Sequence, residues 1–281
     1  MRSLHCKSNF LPSQPLLIVE RECYKEVKPI SSDIALFYQY KTGSHSTESL
    51  SIVPDGCFDV LFCCNPLVPS AVVWTSSLKY SKHKQSNFYI NCEYFGVRFF
   101  PEQNVLKFNY SMKEILNKQI PLCDAVSFDE RIIERIAAAT SFEERIRFFK
   151  KHMKVSRVDA KYDQNIINFT LHQIYSSKRQ LNIKRLSEQS GYSDRYLRKK
   201  FEEYIGFSPK QFSQIVKFQS AMKKILLSEN FVLSEIVHEN GYYDQSHLIK
   251  DFKKYSNSPP CQFKEHYETM VRNIRIPYTV S

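Results

Sequence analysis

A chain of 281 residues is long enough for two domains, each burying its own core. Its eight cysteines are scattered without a C-x-x-C pair, which argues against a disulfide scaffold and for reduced, packed thiols. No apolar run approaches the roughly 18 residues of a membrane span and the first residues lack a signal-peptide core, so a cytoplasmic chain without membrane contact is expected, while the net charge of +11 favours polyanionic partners.

Residues 16 to 100 are short apolar runs such as "IALFYQY", "FDVLFCC" and "AVVWTSS", separated by Pro, Ser, Asn and Lys. Short β-branched and aromatic segments at this spacing predict an antiparallel sheet or small barrel, giving a β-rich domain over 1–128. Alternation within its strands marks Phe58, Val60, Phe62, Trp74, Phe95 and Val97 as the candidate lining of an effector pocket. "FDERIIERIAAAT" and "FEERIRFFKKHM" then repeat apolar residues at helical intervals, and "VSRVDAKYDQ" is polar, so 129–164 is expected to be a helical connector and linker.

From residue 165 the pattern is helices joined by tight turns, and one motif occurs twice. "GYSDRYLRKKFEEY" begins at Gly191 and "GYYDQSHLIKDFKKY" at Gly241. Gly191, Tyr192 and Asp194 match Gly241, Tyr242 and Asp244 at an offset of 50, whereas Leu197, Phe201, Tyr204 and Pro209 match Leu248, Phe252, Tyr255 and Pro260 at 51; one residue has been added where the helix begins. Each copy predicts a helix, a turn at glycine and a second helix capped by Ser193 or Asp244.

At 100° per residue Leu197, Phe201 and Tyr204 share one face of the first copy, with Arg195, Arg198, Lys199 and Glu202 opposite. The corresponding outward residues of the second copy are Ser246, Ile249, Lys250 and Lys253. A helix buried on one face and carrying donors on the other suits a major groove. The predicted DNA-reading residues are therefore Arg195, Tyr196, Arg198, Lys199, Gln245, Ser246, Ile249 and Lys250, with Lys184, Lys210 and Lys253 on phosphates. From Ala160 onward there are 19 Lys+Arg against 12 Asp+Glu, so most of the basic excess accompanies the repeat. Between the copies, residues 208–228 predict a helix of roughly 30 Å, close to the roughly 34 Å turn of B-DNA, so one chain would hold two reading heads over successive grooves.

These residues carry a resemblance. "LSEQSGYSDRYLRKKFEEYIGFSPKQF" and "IVHENGYYDQSHLIKDFKKYSNSPPCQF" resemble the AraC/XylS family of transcription regulators over residues 165–268. The resemblance implies a double helix-turn-helix domain on double-stranded DNA and, usually, activation through contact with RNA polymerase. Ser187 and Val237 stand where the family commonly has Ala, and "SNSPP" replaces its usual Gly. Upstream, "IVPDGCFDVLF" and "FGVRFFPE" resemble the β-rich domain of one subgroup, with Glu102 in place of a final Gly. That likeness implies a module that senses a small-molecule effector or forms a homodimer.

The fold expected is thus α+β: a β-rich part, barrel or sandwich-like, then an all-α part with two helix-turn-helix units joined by a long helix. An enzyme is not expected. His45 and His83 are isolated, no metal or cofactor motif is present, and Asp55 and Asp59 flank Gly56 as turn residues before they suggest an acid pair. Two alternatives are an anti-regulator that binds a protein, and a redox-responsive regulator using the adjacent Cys63 and Cys64.

Overall fold

Strands form where β-branched and aromatic residues alternate. The structure, a computed structural model, describes residues 10, 12–16, 22–31, 33–43, 49–75, 77, 80–84, 88–155, 162–177 and 182–273. Its first part contains β1 (Glu22–Val27), β2 (Ile34–Lys41), β3 (Ser49–Ile52), β4 (Phe58–Cys63), β5 (Ser70–Thr75), β6 (Ser81–Lys84), β7 (Glu93–Phe99) and β8 (Gln119–Pro121). Six strands make one antiparallel sheet in the order β1-β2-β7-β4-β5-β8, and β3 pairs with β6.

The central strands are buried on both faces. One face carries Phe37, Val60, Phe62, Val73, Phe95 and Val97, and the other carries Tyr38, Tyr40, Leu61, Trp74 and Tyr94. Two helices cover the first face, α3 (Glu130–Ala138) and α4 (Phe142–Val155), which follow the short α1 (Met112–Ile115) and α2 (Leu122–Ala125). Ile133, Ile136, Phe142 and Phe149 enter the same apolar cluster as the strands, and Phe149 stands edge-on to Phe37 and Phe62. Arg145, buried on α4, donates to Gln39 Oε1, Glu93 Oε2 (2.8 Å) and the Ala139 carbonyl. The sequence reading assigns these helices to a connector; their packing makes them part of the sheet's core. Of the linker expected over 155–164, residues 156–161 lie outside the described residues, and Tyr162 already begins a helix.

The pocket expected in the sheet is corrected. Phe58, Val60, Phe62, Phe95 and Val97 are close-packed core beneath the helices, whereas Trp74 pairs across the ladder with Asp59 and lies on the other face. Strand alternation likewise sends Cys63 and Cys64 to opposite faces. Cys63 Sγ instead lies 3.6 Å from Cys92 Sγ, and burial pushes the Cys64 thiol up to about 12, so the adjacent pair is not a thiol couple. All seven cysteines among the described residues are free.

The second part is helical: α5 (Tyr162–Ser176), α6 (Ile183–Ser190), α7 (Asp194–Ile205), α8 (Pro209–Leu227), α9 (Leu233–Asn240), α10 (Gln245–Ser256) and α11 (Pro260–Asn273). The chain is thus α+β, with an antiparallel sheet region followed by a helical region.

Candidate nucleic-acid interface

Local capping builds each helix-turn-helix. The helix α6 starts at Asn182, whose side chain accepts from Arg185 N, and ends at Gly191 in the left-handed region (φ 73°), where a Cβ would be strained. Ser193 then caps α7 by accepting from Tyr196 N. In the second unit α9 ends at Gly241 (φ 67°) and Asp244 caps α10 by accepting from His247 N. Where the first unit leaves its second helix through Gly206 (φ 88°), the second uses Asn257 (φ 62°), the side chain that best tolerates this conformation after glycine. The missing family glycine is therefore replaced in function. The Ser187 hydroxyl donates to the Tyr192 carbonyl at 2.6 Å and ties α6 to its own turn.

The caps also correct the register of the repeat. Ser193 and Asp244 are equivalent at an offset of 51, which pairs Asp194 with Gln245, Arg195 with Ser246 and Arg198 with Ile249. The added residue is Tyr243, in the turn before the helix begins.

One apolar stripe on each second helix is buried: Leu197, Phe201 and Ile205 on α7, and Leu248, Phe252 and Tyr255 on α10. Phe201 and Ile205 of the first stripe and all of the second pack on the 19-residue helix α8, while Leu197 packs with Ile166 and Leu186. Phe212 and Ile215 from its first half join the first unit, and Phe218, Met222 and Ile225 from its second half join the other. A capping box at Ser208 and Gln211, with Pro209 in the first turn, fixes where α8 begins.

The predicted reading residues lie on the opposite faces. Arg195, Arg198 and Lys199 are exposed on α7, and Gln245, Ser246 and Lys250 on α10, while Tyr196 and Ile249 are half-buried at the margins. Lys184, Lys210 and Lys253 are exposed on α6, α8 and α10. Tyr196 stacks on Tyr192, with ring centroids 5.1 Å apart. Glu202, expected to face outward, instead accepts from Arg198 Nε (3.0 Å) and from Lys113 Nζ of α1 (2.6 Å). Burial raises its carboxyl, but the bonds from Lys113 and Arg198 outweigh this and hold it below the ordinary range. His45 lies outside the described residues, and among those described no cluster of three His, Cys, Asp or Glu side chains could hold a metal ion.

Sequence reasoning missed a seam between the two parts. Gln219, a buried polar residue on α8, donates to the carbonyls of Pro54 (2.8 Å) and Ser13 (3.2 Å) and accepts from Ser13 N. The Tyr175 hydroxyl of α5 donates to Glu102 Oε2 at 3.1 Å, and Tyr80 N donates to the Lys254 carbonyl of α10 at 3.3 Å. Leu16 and Val53 enter the core of the second unit. A cavity of about 350 Å³ opens beside it, lined by Phe58, Gln103, Phe108, Met112, Ile167 and Tyr204; of the six expected pocket residues it includes Phe58 alone.

The repeat is also what known proteins share with this chain. Residues 186–266 match a family described as "Helix-turn-helix domain". The C-terminal unit is a helix-turn-helix domain of the AraC/XylS type. An uncharacterised helix-turn-helix-type transcriptional regulator of Haemophilus influenzae is 33% identical over 84 residues, covering 30% of this chain and 28% of that protein. The multiple antibiotic resistance protein MarA of Escherichia coli is 29% identical over 84 residues, covering 30% of this chain and 65% of MarA. The chain thus spans less than two thirds of each relative's length. Among solved structures, ToxT of Vibrio cholerae aligns over 89% of this chain and 99% of its own, with a TM-score of 0.45 and 12% identity. No helix among the described residues is long and apolar enough to cross a membrane.

Proposed function

We propose that this chain is a sequence-specific DNA-binding transcriptional regulator that sets α7 and α10 into successive major grooves of one duplex. One observation carries the reading. Two capped helices at equivalent places on a single 19-residue helix each bury an apolar stripe and expose a polar row on the other side. Arg195 and Arg198 have the planar fork that pairs with guanine O6 and N7, and Lys184, Lys210 and Lys253 suit phosphates.

The β-rich part acts as the control module under this reading. Its support is the seam, which joins that part to α8 and to both reading units. A small effector in the cavity beside α1 and α7 would touch both parts at once. Activation through RNA polymerase, and pairing with a second copy, come with the family resemblance.

The test is binding of the full chain to duplexes selected from a random pool. Arg195→Ala should cost about 1–3 kcal/mol and relax the choice at one base pair, whereas Lys210→Ala should weaken all sequences alike. Equal, sequence-independent losses from both would remove Arg195 from base reading. No binding to any duplex at low salt, where phosphate contacts are strongest, would overturn the proposal.

A further inference from the structure

The added residue of the second unit is an aromatic side chain with no packing role. In the first unit Tyr192 directly precedes the cap Ser193, and its ring closes the turn against Tyr196. In the second, that task falls to Tyr242, which is buried and meets the His247 ring edge-on at 5.3 Å. Tyr243 stands between Tyr242 and the cap Asp244. From there an apolar residue ordinarily packs on the fourth residue of the helix. That residue is Leu248, fully buried beneath other side chains, and Tyr243 is 91% exposed. Its hydroxyl bonds to nothing among the described residues, and it is the most exposed large apolar side chain described in the helical part. With Asp244, Gln245, Ser246 and His247 it forms an unbroken exposed run from the turn into the proposed reading face.

We infer that Tyr243 is a DNA contact of the second unit, its hydroxyl donating to a backbone phosphate oxygen and its ring lying along the adjoining deoxyribose. This rests on the reading of α7 and α10 as DNA-facing helices. The N-terminal end of such a helix enters the groove, so the residue just before its cap meets the groove wall. Tyrosine hydroxyls are among the groups that fix register on phosphates, and a bond to an ionised oxygen is stronger than one between neutral partners. The contact also supplies what this unit lacks. Ser246 and Ile249 stand where the first unit has Arg195 and Arg198, and the cap Asp244 brings a negative charge toward the phosphates.

The experiment compares Tyr243→Ala, Tyr243→Phe and Arg195→Ala in the full chain, by fluorescence anisotropy on a duplex selected by the unchanged protein. Tyr243→Phe should weaken binding at least about tenfold, as expected for loss of a charge-assisted bond, and Tyr243→Ala, which also loses the ring, at least as much. The loss should be the same on base-substituted duplexes, because a phosphate contact carries no sequence information. Melting temperatures should not change. Binding within twofold of the unchanged protein for both Tyr243 variants, with Arg195→Ala impaired, would overturn this inference and leave the DNA-facing helices standing. Three unimpaired variants would overturn both.

Discussion

Gly56 and Phe212 meet at a separation that only hydrogen can fill: a Cβ on Gly56 would lie 2.3 Å from Cε2 of Phe212. Gly56 sits at φ +77° in the P-D-G loop after β3, and Phe212 is the fully buried aromatic in the first turn of α8, packed among Phe10, Tyr175 and Phe201. The loop is therefore shaped to receive the helix on which both helix-turn-helix units pack. Gly56→Ala combines backbone strain with overpacking and should cost about 1–3 kcal/mol. Phe212→Leu in the same chain should relieve part of the clash, so the double variant should lose less than the sum of the two, as read by urea denaturation. Strict additivity would show that the two residues do not press on each other.

The same loop is anchored by charge. Arg98 donates to both Asp59 oxygens at 3.1 and 2.9 Å and lies 3.1 Å from Asp55 Oδ2, with all three side chains buried. Burial still pushes the Asp55 carboxyl up, against the pull of Arg98. Arg98→Met would leave two uncompensated buried carboxylates and should cost about 3–5 kcal/mol near pH 7. Asp55, whose carboxyl burial already pushes up, would then favour its protonated form in the folded state, so the deficit should shrink as pH falls toward 4. A deficit independent of pH, measured by denaturation at pH 4 to 7, would mean that packing alone is lost.

Glu102 offers a smaller and opposite effect. Burial raises its carboxyl above the ordinary 4.5, despite its own backbone N–H and the Tyr175 hydroxyl, which lower it. A carboxyl raised on folding penalises the native state once it ionises. That penalty is absent below about pH 4.5 and complete above the folded value, so it grows as pH rises between them. Glu102→Gln should therefore be more stable than the unchanged chain at pH 7 and equal to it at pH 4, as followed by thermal melting. Lower stability of the variant at pH 7 would show that the ionised carboxylate holds the seam.

The two helix-turn-helix units were legible in the sequence because their signals are local. Glycine at a left-handed turn, a side-chain cap and a stripe at helical spacing each act within a few residues. The seam was not legible, because Gln219 reads as an ordinary polar helical residue until its partners, the carbonyls of Ser13 and Pro54, are known. Periodicity showed which face of α3 and α4 is apolar but not that the sheet covers it. Trp74 was misplaced because alternation gives the two faces of a strand without its phase against the neighbour, and the ladder sets Trp74 opposite Asp59. The added residue could not be assigned between Gly241 and Leu248 by matching letters; the caps Ser193 and Asp244 assign it to Tyr243.

Two reading units of unequal strength, carried by one chain on one side of a duplex, would leave a signature in the DNA they select. Selection of bound sequences from a random DNA pool by the full chain tests it most directly. Two half-sites should emerge with centres about 10 base pairs apart, one helical turn. The half-site read by Arg195 and Arg198 should be sharply defined, and the one read by Gln245, Ser246 and Ile249 more tolerant, with a preference for thymine methyls. A single half-site, or two half-sites of equal information, would contradict the account.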